Sequence, residues 1–147
     1  MANATEIKFG DPATRIAQTD RWSVLLRPKQ PTLGSLVLVC REPVLSFAEV
    51  SAQGYEELRT VVRRLEATLR EFVAYERINY LMLMMVDPDV HFHVIPRYAG
   101  TRRFGGVEFA DGGWPAVPAL DAAISLDPAT RDALVAALRD AWLRCTE

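Results

Sequence analysis

Histidine is nearly absent from this chain of 147 residues: there are two, and both fall in one short run, His91-Phe92-His93. Cysteine is equally scarce. Cys40 and Cys145 are isolated, so neither a disulfide framework nor a zinc knuckle follows from them, and Cys40, closing an apolar run, is expected in the core. Lysine occurs only at positions 8 and 29, and every other cation is arginine, a bias that genomic base composition or bidentate phosphate contacts would both produce. The net charge of -2 lacks the basic excess of a nucleic-acid-binding protein, which argues against a nucleic-acid partner. The longest apolar run, Tyr80 to Val86, is far short of the roughly 20 residues that span a bilayer. The polar N-terminus does not read as a signal peptide, so the expected setting is cytoplasmic, away from membranes.

Half of the residues are apolar, enough for one domain with a real core. Residues 1–19, polar and turn-rich, read as an arm. Short apolar runs at Trp22–Leu26 and Leu36–Cys40 flank a segment with Pro28, Pro31 and Gly34, giving strand, loop and strand. Leu58, Val61, Val62, Leu65, Leu69 and Phe72 fall at helical spacing behind Ser51, a candidate N-cap, and predict a helix of about six turns. The run Ile78 to Val86 reads as a central strand covered on both sides. Val90 to Ile95 reads as the next strand, ended by Pro96. A glycine- and proline-rich stretch follows, in which Trp114 is expected to anchor a loop. Asp127-Pro128 then starts a second helix, to about residue 144. The sum is an α+β fold: a mostly antiparallel sheet of about five strands, one long helix and a C-terminal helix.

The two histidines alternate with Val90, Phe92 and Val94, so a strand projects both imidazoles from one face, with Asp89 and Asp87 on that face by the same count. Three readings are open. Asp89, His91 and His93 suit a two-histidine, one-carboxylate metal site, although strict alternation on one strand spreads such ligands apart. Alternatively, one imidazole attacks phosphorus while the other assists, which needs neither metal nor cofactor. The third reading is solvated surface on an edge strand.

Asp89-Val90-His91-Phe92-His93-Val94-Ile95-Pro96-Arg97 resembles the signature of the histidine triad family, in which three alternating histidines precede an apolar-apolar-Pro-Arg ending. Leu25-Leu26-Arg27-Pro28 and the stretch Pro31 to Val39 resemble that family's hairpin and glycine turn, so the likeness covers residues 20–100. It implies a nucleotide-binding domain there, with residues 101–147 a C-terminal extension packed on it. It also implies a nucleotide hydrolase or nucleotidyl transferase, with His91 as nucleophile and His93 as its phosphate-contacting partner. Dinucleoside polyphosphates are candidate substrates, since the shortened motif resembles a bacterial branch similar to diadenosine tetraphosphate hydrolases. A homodimer is implied as well. Asn79, Ser35, Arg27 and Arg97 are the candidate nucleotide contacts.

The chain departs from this pattern in specific places. Asp89 stands where the first histidine belongs, bringing negative charge near a phosphate site unless it points away or pairs with an arginine. It is a candidate to orient a neighbour or to raise an imidazole pKa. Such an aspartate also fits a weakened, nucleotide-binding or regulatory module. Ser35 follows Gly34 where many relatives carry a further histidine, and Arg27 sits near a position commonly acidic or amide. Arg97 has Asp111 and Glu108 as alternative partners.

Overall fold

The computed structural model describes residues 1–146. In chain order the elements are α1 (Ala4–Lys8), β1 (Arg15–Gln18), β2 (Trp22–Leu26), β3 (Lys29–Gln30), β4 (Leu36–Cys40), α2 (Ala52–Val73), β5 (Arg77–Leu81), β6 (His91–Arg97), β7 (Thr101–Phe104), β8 (Val107–Ala110), β9 (Ile124–Ser125) and α3 (Pro128–Arg144). A single 3-10 turn, Phe47–Glu49, precedes α2. Five strands form one antiparallel sheet in the order β1-β2-β4-β6-β5, the α+β architecture that the sequence pattern implies.

Both long helices start where their caps place them. Ser51 Oγ accepts from the Gly54 amide, and the Asp127 carboxylate accepts from the Thr130 amide with Pro128 in the first turn. The apolar stripe of α2 (Val61, Leu65, Leu69, Val73) and that of α3 (Leu134, Leu138, Trp142) share one core with Trp22, Val24, Leu26, Leu36, Leu38, Cys40 and Val94. These sheet residues alternate, so one face of the sheet belongs to the helices. Cys40 is fully buried there. None of the described helices is long and apolar enough to cross a membrane.

The opposite face carries Leu25, Val37 and Val39, and Phe9 packs on them as a second, smaller cluster. The cross-strand pairs Val39↔His91 and Val37↔His93 put both imidazoles on this same face. Every residue of β2 and β4 is buried because the sheet is covered on both sides at its centre.

Three expectations need correction. The N-terminal residues are no free arm: residues 15–18 form a strand of the main sheet, and α1 lies on its second face. The run Ile78 to Val86 is not a central strand. Pairing stops at Leu81, β5 is an edge, and Leu83, Met85 and Val86 are exposed in the loop that follows, where Met84 has positive φ. Pro96 does not end its strand either. It pairs opposite Ile78, beyond the last β4 partner of β6 at Val94, so its missing N–H leaves no ladder bond unmade on that side.

Candidate active site

Strand alternation aims His91 and His93 at the second face, and local hydrogen bonds fix what each ring offers. His91 Nδ1 lies 2.7 Å from the main-chain carbonyl of Asp89. A carbonyl only accepts, so Nδ1 carries the proton and Nε2 keeps its lone pair. Arg27 Nε–H donates to His93 Nδ1 at 3.3 Å. A guanidinium only donates, so His93 Nδ1 is the acceptor and its proton sits on Nε2. The rings meet edge to face with centroids 5.3 Å apart. The pair therefore holds opposite tautomers: one free lone pair beside one free N–H donor.

Charge and burial reinforce that state. Burial, then the positive charge of Arg27, push the His93 pKa down from its ordinary 6.5 to about 4. A carboxylate at position 89 aimed at an imidazole would raise its pKa, but Asp89 is not among the charges that set the His93 shift. The reason is geometric. Asp89 Oδ2 accepts from the Thr5 amide at 3.1 Å and from Thr5 Oγ1 at 2.8 Å, while the Asp89 amide donates to Thr5 Oγ1 at 3.2 Å. Its carboxylate thus points toward α1, and what it gives His91 is a backbone oxygen. Asp87 is likewise engaged, by Lys8 at 2.7 Å. Three donors converging on one ion, as the metal reading requires, are not formed by these residues.

The remaining candidates divide. Arg27 is at the histidines; its Nη1 donates to the Lys29 carbonyl, and no carboxylate pairs with it among the described residues. Burial lowers its pKa, the cost of a partly desolvated charge without a counterion. Ser35 is fully buried, and its hydroxyl helps form the turn by donating to the Thr32 carbonyl at 2.9 Å. Gln30 knits the same turn, accepting from the Gly34 and Ser35 amides. Gly34 has φ +87, and a Cβ there would meet Leu69 at 3.2 Å, which is why glycine stands in this turn.

Arg97 and Asn79 lie together farther along β5 and β6. Arg97 forms a two-pronged pair with Asp111 at 2.7 and 3.0 Å and donates to Asn79 Oδ1 at 2.8 Å. Both members of the ion pair are nearly inaccessible. Removing one partner of such a pair generally costs about 3–5 kcal/mol. Arg97 therefore holds the loop after β8. An open groove of about 1040 Å³ runs beside it along β5, lined by Asn79, Leu81 and Trp114, and neither histidine lines that groove.

The sequence reading missed the N-terminal contribution. Phe9 meets His93 edge to face at 5.7 Å and lies 6.1 Å from the His91 ring, leaving the two histidines only 2 % and 7 % exposed. Two signals for it stand in the sequence: Asn3 followed three residues later by Glu6, a capping box that the structure forms, and the aromatic Phe9 beside Lys8.

This fold is that of histidine triad proteins. A histidine triad protein from Sinorhizobium meliloti aligns at 20% identity over 95% of this chain and 95% of its own, with TM-score 0.71. One from Bradyrhizobium japonicum aligns at 18% identity over 95% and 96%, with TM-score 0.68. A hypothetical histidine triad nucleotide-binding protein from Sulfolobus tokodaii aligns at 15% identity over 89% and 84%, with TM-score 0.67. No family model and no curated protein matches the chain.

The tautomers and the depressed basicity have a measurable consequence. In ¹H–¹⁵N spectra His93 is expected to stay neutral, protonated on Nε2, down to near pH 4. Because the folded chain resists a proton that the unfolded chain accepts near 6.5, this group makes unfolding easier as pH falls from 6.5 to about 4. Arg27→Gln is expected to raise the His93 midpoint. A His93 that titrates near 6.5, or carries its neutral proton on Nδ1, contradicts the geometry.

Proposed function

We propose that the chain is a nucleotide hydrolase or nucleotidyl transferase that works through a nucleotidyl-histidine. His91 Nε2 attacks the α-phosphorus, an N–P bond forms, and the bond from phosphorus to the leaving group breaks. Water or another acceptor then attacks the same phosphorus, releasing the nucleotide and returning the lone pair to Nε2. His93 Nε2–H donates to a phosphoryl or bridging oxygen as charge grows there, and Arg27 supplies the nearby positive charge. The observation that carries this reading is the opposite tautomerism of the two imidazoles, set by the Asp89 carbonyl and by Arg27. The solved histidine triad proteins add support through their fold, and the Sulfolobus one is named as nucleotide-binding.

Substrates with a nucleoside α-phosphate fit, whether a phosphoanhydride such as a dinucleoside polyphosphate or a phosphoramidate. The competing reading, a binding or regulatory module that has lost chemistry, rests on Asp89 in place of a histidine. Its strength is reduced by the direction of that carboxylate, which binds Thr5 instead of intruding on the imidazoles. Diadenosine tetraphosphate and adenosine phosphoramidate are the test substrates. Turnover of either is expected, falling on the order of a thousandfold or more in His91→Ala, as for loss of a nucleophile. Measurable nucleotide affinity with no turnover of either would favour the module instead.

A homodimer is part of this proposal. Strand β5 offers an unpaired edge among the described residues, and exposed Leu83, Met85 and Val86 extend from it. Light scattering is expected to give twice the chain mass, and Met85→Glu with Val86→Lys to give the monomer. A monomeric wild type would remove this part.

A further inference from the structure

The segment Asn3–Phe9 covers the two functional imidazoles, and the way it is fastened differs from the rest of the body. Its grip is polar. Thr5 exchanges three hydrogen bonds with Asp89, Lys8 pairs with Asp87, Asn3 Nδ2 donates to the Cys40 carbonyl, and Glu6 accepts from Ser23 Oγ. Its apolar contribution is small: Ile7 is exposed, and Phe9 is the one large side chain laid on the sheet. Each such bond is worth only about 0.5–1.5 kcal/mol net, because the released groups rebond to water, so the segment is held by a few modest polar contacts and the burial of one ring. At its C-terminal end Gly10 has φ +92, a conformation that side chains disfavour, and the Phe9 carbonyl is held by Thr14 Oγ1 at 2.6 Å.

The imidazoles underneath need this segment to move. A phosphorus that bonds His91 Nε2 requires van der Waals space at a ring that is 2 % exposed, with Phe9 against it. We infer that Asn3–Phe9 is a displaceable strap over His91 and His93, that Asp89 is its latch, and that a ligand reaches the histidines by moving Phe9 aside. Asp89 then has two tasks in two directions. Its carbonyl sets His91, and its carboxylate holds the cover over His91. That a nucleotide is what displaces the strap rests on the function proposed above; that the strap opens does not.

Diethylpyrocarbonate separates the two. It acylates an accessible neutral imidazole nitrogen, forming an N–C bond and releasing ethanol and carbon dioxide, and peptide mapping assigns the site. With the full chain, modification of His91 and His93 is expected to be slow in the wild type. It should rise about tenfold in Thr5→Val combined with Lys8→Ala, since fewer bonds oppose local opening, and also in Phe9→Ala, which removes the covering ring itself. Leu138→Val, which loosens the helix side of the core without touching the strap, controls for general destabilisation and is expected to leave the rate unchanged. Equal rates in the wild type and the strap variants overturn the strap, as does a rise in Leu138→Val as large as theirs. Faster acylation in the strap variants with no nucleotide chemistry in any protein keeps the strap and rejects the nucleotide reading.

Discussion

A single hydrogen bond, from His91 Nδ1 to the main-chain carbonyl of Asp89, decides what this site offers. Imidazole has one lone pair when neutral, and fixing the proton on Nδ1 leaves that pair on Nε2. A backbone carbonyl is a suitable partner because its position is set by the chain two residues upstream rather than by a rotamer. It also survives substitution at position 89, which explains how an aspartate there leaves the His91 tautomer intact. The identity of residue 89 then acts through its side chain, and that side chain faces the N-terminal segment.

The other half of the site depends on one arginine being paired and another not. Arg97 and Asp111 satisfy each other in the protein interior, with Asn79 on the remaining edge, so that charge is neutralised within the fold. Arg27 meets an imidazole nitrogen and a carbonyl instead. Burial, and then this charge, keep His93 neutral. Two arginines that look interchangeable in a list of cations thus have opposite roles, one in the structure of the loop and one at the histidines.

The strand carrying both histidines was legible because a period of two is unambiguous over six residues, and so were the two helices, whose caps and apolar stripes agree with each other. The N-terminal segment was not. Its five-residue helix is too short for periodicity, and apart from the local Asn3–Glu6 capping box its fastenings are Asp89, Asp87 and Ser23, distant in sequence. The same limit applies to Ser35 and Arg97. Each residue type suits a phosphate contact, but the partners that occupy it, Thr32 and Asp111, are visible only once the turn and the loop after β8 are in place. The edge position of β5 was masked by the apolar run into Val86, which composition alone cannot distinguish from a covered strand.

The most direct measurement is to identify the covalent intermediate. The protein is incubated with a labelled dinucleoside polyphosphate, quenched in base, and mapped by mass spectrometry for a nucleotidylated peptide. The account predicts an acid-labile adduct on His91, bonded through Nε2. An adduct on His93, or turnover with no protein-bound nucleotide at any time, would contradict it.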